Sequence, residues 1–171
     1  MRKLAGVLMG AVLLVGMAGP ASAQSGTHQR FVLISTSENA PQRVVAGGVI
    51  NGAGTDVVLS STDNPDGTSS GVDRFEFPRG SVTIAHQDTS ATSSFDPRAC
   101  VGRFSGTGDF QILGGTGIYA GITGSGTYTL RGTFVANRNP DGSCAENGSG
   151  RSVVIVNATG PIAVGGSTAA A

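Results

Sequence analysis

Few residues of this chain combine a reactive type with a setting that could use it, and His86 heads them. Ser81–Gln87 alternates, with Val82 and Ile84 on one face and His86 continuing it. A histidine so placed would stand inside an apolar enclosure. There an imidazole, with an ordinary pKa of about 6.5, serves as proton donor, proton acceptor or polar handle. The plainer expectation puts His86 at its strand end, wet or bonded to backbone, because spacing places no acid beside it. Phe75, Phe77, Phe104, Phe110 and Tyr128 fall on apolar faces. They would either line a ligand cavity or fill the interior of a small barrel. Arg74, Glu76 and Arg79 surround the Phe75–Phe77 segment, and Asp56, Asp73 and Asp109 lie on other strands. Turned inward, Arg–Asp pairs would polarise a carbonyl or a phenoxyl. Turned outward, they form a solvated face, the commoner arrangement.

Other chemistries are poorly supplied. Asn137-x-Asn139-x-Asp141-Gly142 imitates the start of a calcium loop, with oxygen ligands at alternate positions before a glycine. Position 12 falls on Gly148 instead of a bidentate glutamate, and Arg138 adds a repelling charge. Two histidines and two distant cysteines make no zinc spacing. There is no Gly-x-Ser-x-Gly elbow, and the carboxylates show no glycosidase pairing. No catalytic residue is assigned, and neither a metal nor a cofactor is expected.

Composition narrows the classes further. Met1-Arg2-Lys3 is followed by an uncharged apolar run, Leu4 to Met17, then Gly19-Pro20 and the small residues Ala21-Ser22-Ala23. This is the pattern of a secretory signal cleaved near Ala23, giving an extracellular or periplasmic protein. The run is short of the ~20 residues a membrane-spanning helix needs, so no span is expected. Without residues 1–23 the chain keeps nine arginines and no lysine against its 11 acids, a net charge of −2. That excludes lysine Schiff-base chemistry and Walker-type phosphate loops, and offers no basic patch for nucleic acid. Cys100 and Cys144, the two cysteines of an exported chain, are expected to form a disulfide; free thiols or a redox pair are the alternative.

The elements that would hold these residues are strands. Glycine, serine and threonine abound, and apolar residues come in short runs between turn residues. Candidate strands are Arg30–Ser35, Arg43–Ile50, Thr55–Ser60, Asp73–Phe77, Ser81–Gln87, Cys100–Leu113, Tyr119–Val135 and Arg151–Ala158. In Cys100–Leu113 the positions Phe104, Phe110 and Ile112 are apolar, while Arg103, Ser105, Thr107, Asp109 and Gln111 are polar. Ile122, Tyr128, Leu130 and Phe134 alternate with threonine, serine and arginine in the same way. Each pattern predicts one buried and one wet face, and Gly114-Gly115-Thr116-Gly117 would turn the two strands into a long hairpin. Val153-Val154-Ile155-Val156 lacks alternation and predicts a strand buried on both faces. About eight strands in one domain hide their edges best by closing into a barrel, with a β-sandwich as the competing architecture. The repeated tetrapeptide at Asn64–Gly67 and Asn139–Gly142 reads as one turn chemistry used twice. The domain would span 24–164, followed by a loose tail, 165–171.

The segment Phe110-Gln111-Ile112-Leu113-Gly114-Gly115-Thr116-Gly117-Ile118-Tyr119-Ala120-Gly121-Ile122-Thr123-Gly124-Ser125-Gly126 resembles the allene oxide cyclase and dirigent-like barrel superfamily. A strand, Gly-Gly-Thr-Gly, an aromatic two residues on and a small-residue start to the next strand carry the likeness. The whole chain looks most similar to bacterial secreted proteins of that barrel type with no assigned function. The resemblance implies an antiparallel, eight-stranded, calycin-like barrel whose lumen holds a small apolar molecule. It also implies an alternative, a cyclase or isomerase acting on a lipid, polyketide or phenolic substrate. It leaves a homo-oligomer open. The shared motif shapes a turn and carries no reacting group, so it transfers no catalytic residue.

Overall fold

The computed structural model describes residues 27–36, 41–145 and 150–165. The expected signal segment, and all of the expected tail beyond Gly165, lie outside the described residues. Gly165 itself is held, its amide donating to the Gly121 carbonyl at 3.1 Å.

Eight strands run in chain order: β1 (Thr27–Ser35), β2 (Arg43–Gly47), β3 (Gly52–Asp63), β4 (Ser69–Phe77), β5 (Gly80–Asp96), β6 (Val101–Gly115), β7 (Ile122–Val135) and β8 (Arg151–Val164). Each pairs antiparallel with the next, and β8 returns to β1, so the sheet closes into a barrel and not a sandwich. Among the described residues the only helical piece is a 3₁₀ turn at Gly117–Tyr119. No helix there is long and apolar enough to cross a membrane. The β6–β7 hairpin follows its alternation, with Gly108, Phe110 and Ile112 buried between exposed Thr107, Asp109, Gln111 and Leu113.

Three expectations need correction. β5 does not stop at Gln87 but continues to Asp96, paired with β6 throughout. Its Ser/Thr-rich second half carries no apolar alternation. Hydroxyl pairs hold it instead: Ser90–Thr107 at 2.9 Å and Thr92–Ser105 at 3.0 Å. β8 is not buried on both faces. Val153 and Ile155 are exposed while Val154 and Val156 are half-buried, because in a closed barrel every second residue faces outward whatever its type. Tyr119 lies in the 3₁₀ turn, not in β7.

Three bulges interrupt the ladders, leaving Leu59, Thr89 and Leu113 unpaired between Val58/Ser60, Asp88/Ser90 and Ile84/Thr83 partners. Such bulges bend strands and re-aim side chains. One end of the barrel is filled. Val44, Ile50, Val82, Ile122 and Ile162 are all but free of solvent there, and Phe77 meets Tyr119 edge-on with ring centres 5.9 Å apart. Gln29 is buried at this end with its amide satisfied: it accepts from the Ile50 amide at 2.9 Å and donates to the Ile50 carbonyl at 3.1 Å. Cys100 and Cys144 form the expected disulfide, tying the start of β6 to the long β7–β8 connection.

The two repeated tetrapeptides do form one turn twice. Gly67 and Gly142 donate to the carbonyls of Asn64 and Asn139 at 3.0 and 2.9 Å. Asp66 and Asp141 each accept from the amide and hydroxyl two residues on. The Asp141 carboxylate is therefore spent on Ser143. Among the described residues no group of three His, Cys, Asp or Glu is placed to hold a metal ion.

Candidate functional site

The other end of the barrel is hollow. A cavity of about 240 Å³ occupies the lumen, walled from seven of the eight strands. Phe31 of β1, Phe75 of β4 and Phe110 of β6 form its floor. Phe31 meets Phe75 and Phe110 edge-on, with ring centres 5.4 and 6.3 Å apart. Leu33, Ile84, Leu130 and Val156 continue the apolar lining, and Val58 and Ser61 stand exposed at the rim.

One side of this apolar chamber is polar. Asp56 of β3, Asp73 of β4, His86 and Asp88 of β5 and Tyr128 of β7 all face the cavity. His86 lies 3.3 Å through Nε2 from Asp73 Oδ2. The Tyr128 hydroxyl donates to Asp88 Oδ1 at 2.6 Å. Asp88 Oδ2 accepts from the Ser69 amide and hydroxyl at 2.8 and 2.9 Å. The His86 and Tyr128 rings meet edge-on, 6.2 Å apart. Two buried oxygens in this wall have no partner, Asp56 Oδ1 and Asp73 Oδ1.

Glycines make room for these side chains. His86 is paired across the strands with Gly71, Tyr128 with Gly108 and Phe110 with Gly126. A methyl at Gly108 would lie 2.3 Å from the Tyr128 hydroxyl, and one at Gly71 would lie 2.9 Å from His86 Nε2. Each large ring therefore lies over a bare backbone, leaning across its neighbouring strand and leaving the axis of the barrel open.

Burial sets the electrostatics. The Asp56 carboxyl is pushed up to about 7, chiefly by desolvation and next by the Asp73 charge, with His86 pulling the other way. The hydrogen bond that His86 donates to Asp73 holds the imidazole above its usual value against the opposing effect of burial, and the charges of Asp73, Asp88 and Asp56 add to it. Desolvation, then the bond to Asp88, raises the Tyr128 phenol well above its ordinary range, so it remains a donor.

The residues expected from sequence divide. His86, Phe75, Phe110 and Tyr128 come together around the cavity. His86 is inside and paired, not wet at a strand end, because β5 runs on past it. Phe77 shares the face of Phe75 but lies at the filled end and does not line the cavity. Phe104 lies beyond the mouth, its ring over Gly132. Arg74 and Glu76 pair at 2.8 Å on the outer wall, Arg79 and Asp109 are exposed, and no arginine reaches the lumen. Asp88, Ser69 and Phe31 were not among the expected site residues. Asp88 had a signal, since it extends the alternation Val82, Ile84, His86 by one more step.

A larger groove, about 880 Å³, crosses the wall over β3 to β7; it is the more open of the two and mixes hydroxyls and amides such as Thr62, Ser70, Gln87 and Ser125 with Asp109, and it shares His86 and Phe110 with the lumen cavity. Asp56, Asp73, Asp88 and Tyr128 line the lumen cavity alone, and His86 borders both. The chain matches no family model, no curated protein and no solved structure.

Proposed function

We propose that this protein is an exported barrel that binds a small molecule in its lumen, with the compact apolar body of the ligand on the phenylalanine floor and a polar end on the aspartate wall. One observation carries the reading: an apolar chamber open at one end, lined by two aspartates that each keep a buried oxygen unpaired. An interior built only for stability is packed, as the filled end of this barrel is, and satisfies its polar atoms. The volume exceeds the ~150 Å³ of a cavity that accepts benzene and falls short of the ~300 Å³ where drug-sized pockets begin. A ligand of roughly ten non-hydrogen atoms fits that range. Membership of the allene oxide cyclase and dirigent-like superfamily belongs to the same proposal, and the closed eight-stranded antiparallel barrel supports it. Native mass spectrometry of protein from its own secretion medium tests the reading. The expected result is a chain starting at Gln24 that carries a small retained mass. A clean unliganded mass at high protein concentration counts against it.

A second reading, a cyclase or isomerase, is favoured by the His86–Asp73 pair standing in an apolar chamber. His86 would take a proton from the ligand at one atom and return it at another. Incubation of the protein with its retained ligand in D₂O would then leave deuterium on carbon, and its absence there would refute this reading.

A further inference from the structure

We infer that the lumen is built for an organic cation, a ligand bearing a protonated amine beside a compact apolar body, with its N–H groups on Asp56 and Asp73. The inference rests on the lumen being a ligand site and adds the chemical class of the ligand.

The hydrogen-bond inventory points this way. Above its folded value of about 7 the Asp56 carboxyl is an acceptor-only carboxylate; it lines the cavity, 7% exposed, and its buried Oδ1 has no hydrogen-bond donor. Asp73 Oδ1 is bare as well. The two side chains are diagonal neighbours on one face of the β3–β4 ladder, since Asp56 stands opposite Phe75 and Asp73 opposite Val58. Three donors of the polar wall are engaged elsewhere: His86 Nε2 on Asp73 Oδ2, and Tyr128 and Ser69 on Asp88. Among the described residues no lysine or arginine lines the chamber. A ligand that carries its own donors would satisfy both oxygens.

Charge separates the ligand classes. Three carboxylates face one imidazole, so an anion is repelled, and a purely apolar guest leaves two buried oxygens unpaired. An ammonium group supplies several N–H donors and a neutralising charge at once. The rings of Phe31, Phe75, Phe110 and Tyr128 line the chamber, and an aromatic face turned to a cation attracts it through the ring quadrupole. Among the described residues no three His, Cys, Asp or Glu side chains are grouped to hold a metal ion.

Three probes with one frame decide the matter: phenethylamine (an ammonium at pH 8), 2-phenylethanol and phenylacetate. Each is titrated into the purified protein at pH 8 while the backbone amide shifts of lumen residues are followed by NMR. The expected order is ammonium first, about tenfold tighter than the alcohol, with the carboxylate weakest. Asp56→Asn should cut the ammonium preference to about threefold or less. If the alcohol or the acid binds as tightly as the amine, or if Asp56→Asn leaves the preference intact, the cation assignment is overturned while the lumen remains a ligand site. If none of the three moves a lumen amide, both fall. Should Asp56→Asn fail to fold, the ranking of the three probes on the unaltered protein decides alone.

Discussion

Replacing Asp56 with asparagine should stabilise this protein, and increasingly so as the pH rises. Burial and the neighbouring Asp73 charge lift the Asp56 carboxyl from 3.8 to about 7 in the folded state. The sign follows from linkage. A group whose folded pKa exceeds its unfolded pKa gives stability in full below the unfolded value. That stability drains away as pH climbs, and is gone once pH passes the folded value. Here the window runs from 3.8 to about 7. At about 1.36 kcal/mol per unit, the shift sets a ceiling of about 4 kcal/mol. Water at the open mouth relaxes part of that penalty, so about 2 kcal/mol is the expected figure. Asparagine keeps the shape of the side chain and never ionises. Urea unfolding of both proteins at pH 4 and pH 8 makes the comparison. The stability difference, variant minus parent, should rise by about 2 kcal/mol between the two pH values, with equal m-values. His86 also loses a stabilising contribution as pH rises through its elevated folded pKa, but both proteins share that loss and the difference removes most of it. A difference that stays flat, or that falls toward pH 8, would show that Asp56 does not ionise at a cost inside the barrel, and the account of the polar wall would be wrong.

Three further perturbations probe the same architecture. Tyr128→Phe removes the donor 2.6 Å from Asp88 Oδ1 and leaves that buried oxygen bare, so urea unfolding should show a loss of about 1–3 kcal/mol. Gly108→Ala would place a methyl 2.3 Å from the Tyr128 hydroxyl and 2.4 Å from the Gln87 carbonyl; it should displace the ring, flatten the near-UV tyrosine signal and cost about 1–3 kcal/mol or more. The Cys100–Cys144 bridge spans 44 positions, and the double serine variant should lose about 4 kcal/mol in the same assay, on the loop-entropy account.

What the sequence shows and what it hides follow from the physics of a closed sheet. The period-2 pattern of β6 and β7 is legible because one face meets the lumen and the other meets water, and both strands are long enough to repeat it. The inward aim of His86 is legible for the same reason. Its partner is not, since Asp73 reaches it only through the register that sets Gly71 opposite His86. Alternation also says nothing of depth. Phe75 and Phe77 share a face, yet two residues of strand, at ~3.3 Å each, carry one to the cavity floor and the other to the filled end. Phe104 fails as a lining residue in the same way, at the opposite extreme. β5 looked short because the Thr89 bulge resets its alternation just after Asp88, and the hydroxyl-rich stretch beyond has no apolar face to read. The run Val153–Val156 misled because an outward valine costs a barrel little and so leaves no mark in the pattern.

The cavity and its mouth have separate origins in the chain. The cavity owes its walls to cross-strand pairs of a large ring with a glycine, and its polarity to three aspartates and a histidine on β3, β4 and β5. The mouth comes from unequal strand lengths. β5 to β8 run 17, 15, 14 and 14 residues, against 9 for β1 and β4 and 5 for β2. Where the short strands stop, the long ones continue as an open ribbon. Its inner side carries Phe104 over Gly132 and Phe134 over Gly102, with Phe95 stacked on Phe134 at 6.0 Å. A molecule entering the lumen from that end, as proposed, would meet this apolar lip before the aspartate wall. On the proposed function, Phe134→Ala should change the rate at which a ligand enters, read by stopped-flow, and leave the ammonium preference in place, whereas Asp56→Asn should change the preference. The two effects are separable because no residue of the lip shares a hydrogen bond with Asp56, Asp73, His86 or Asp88.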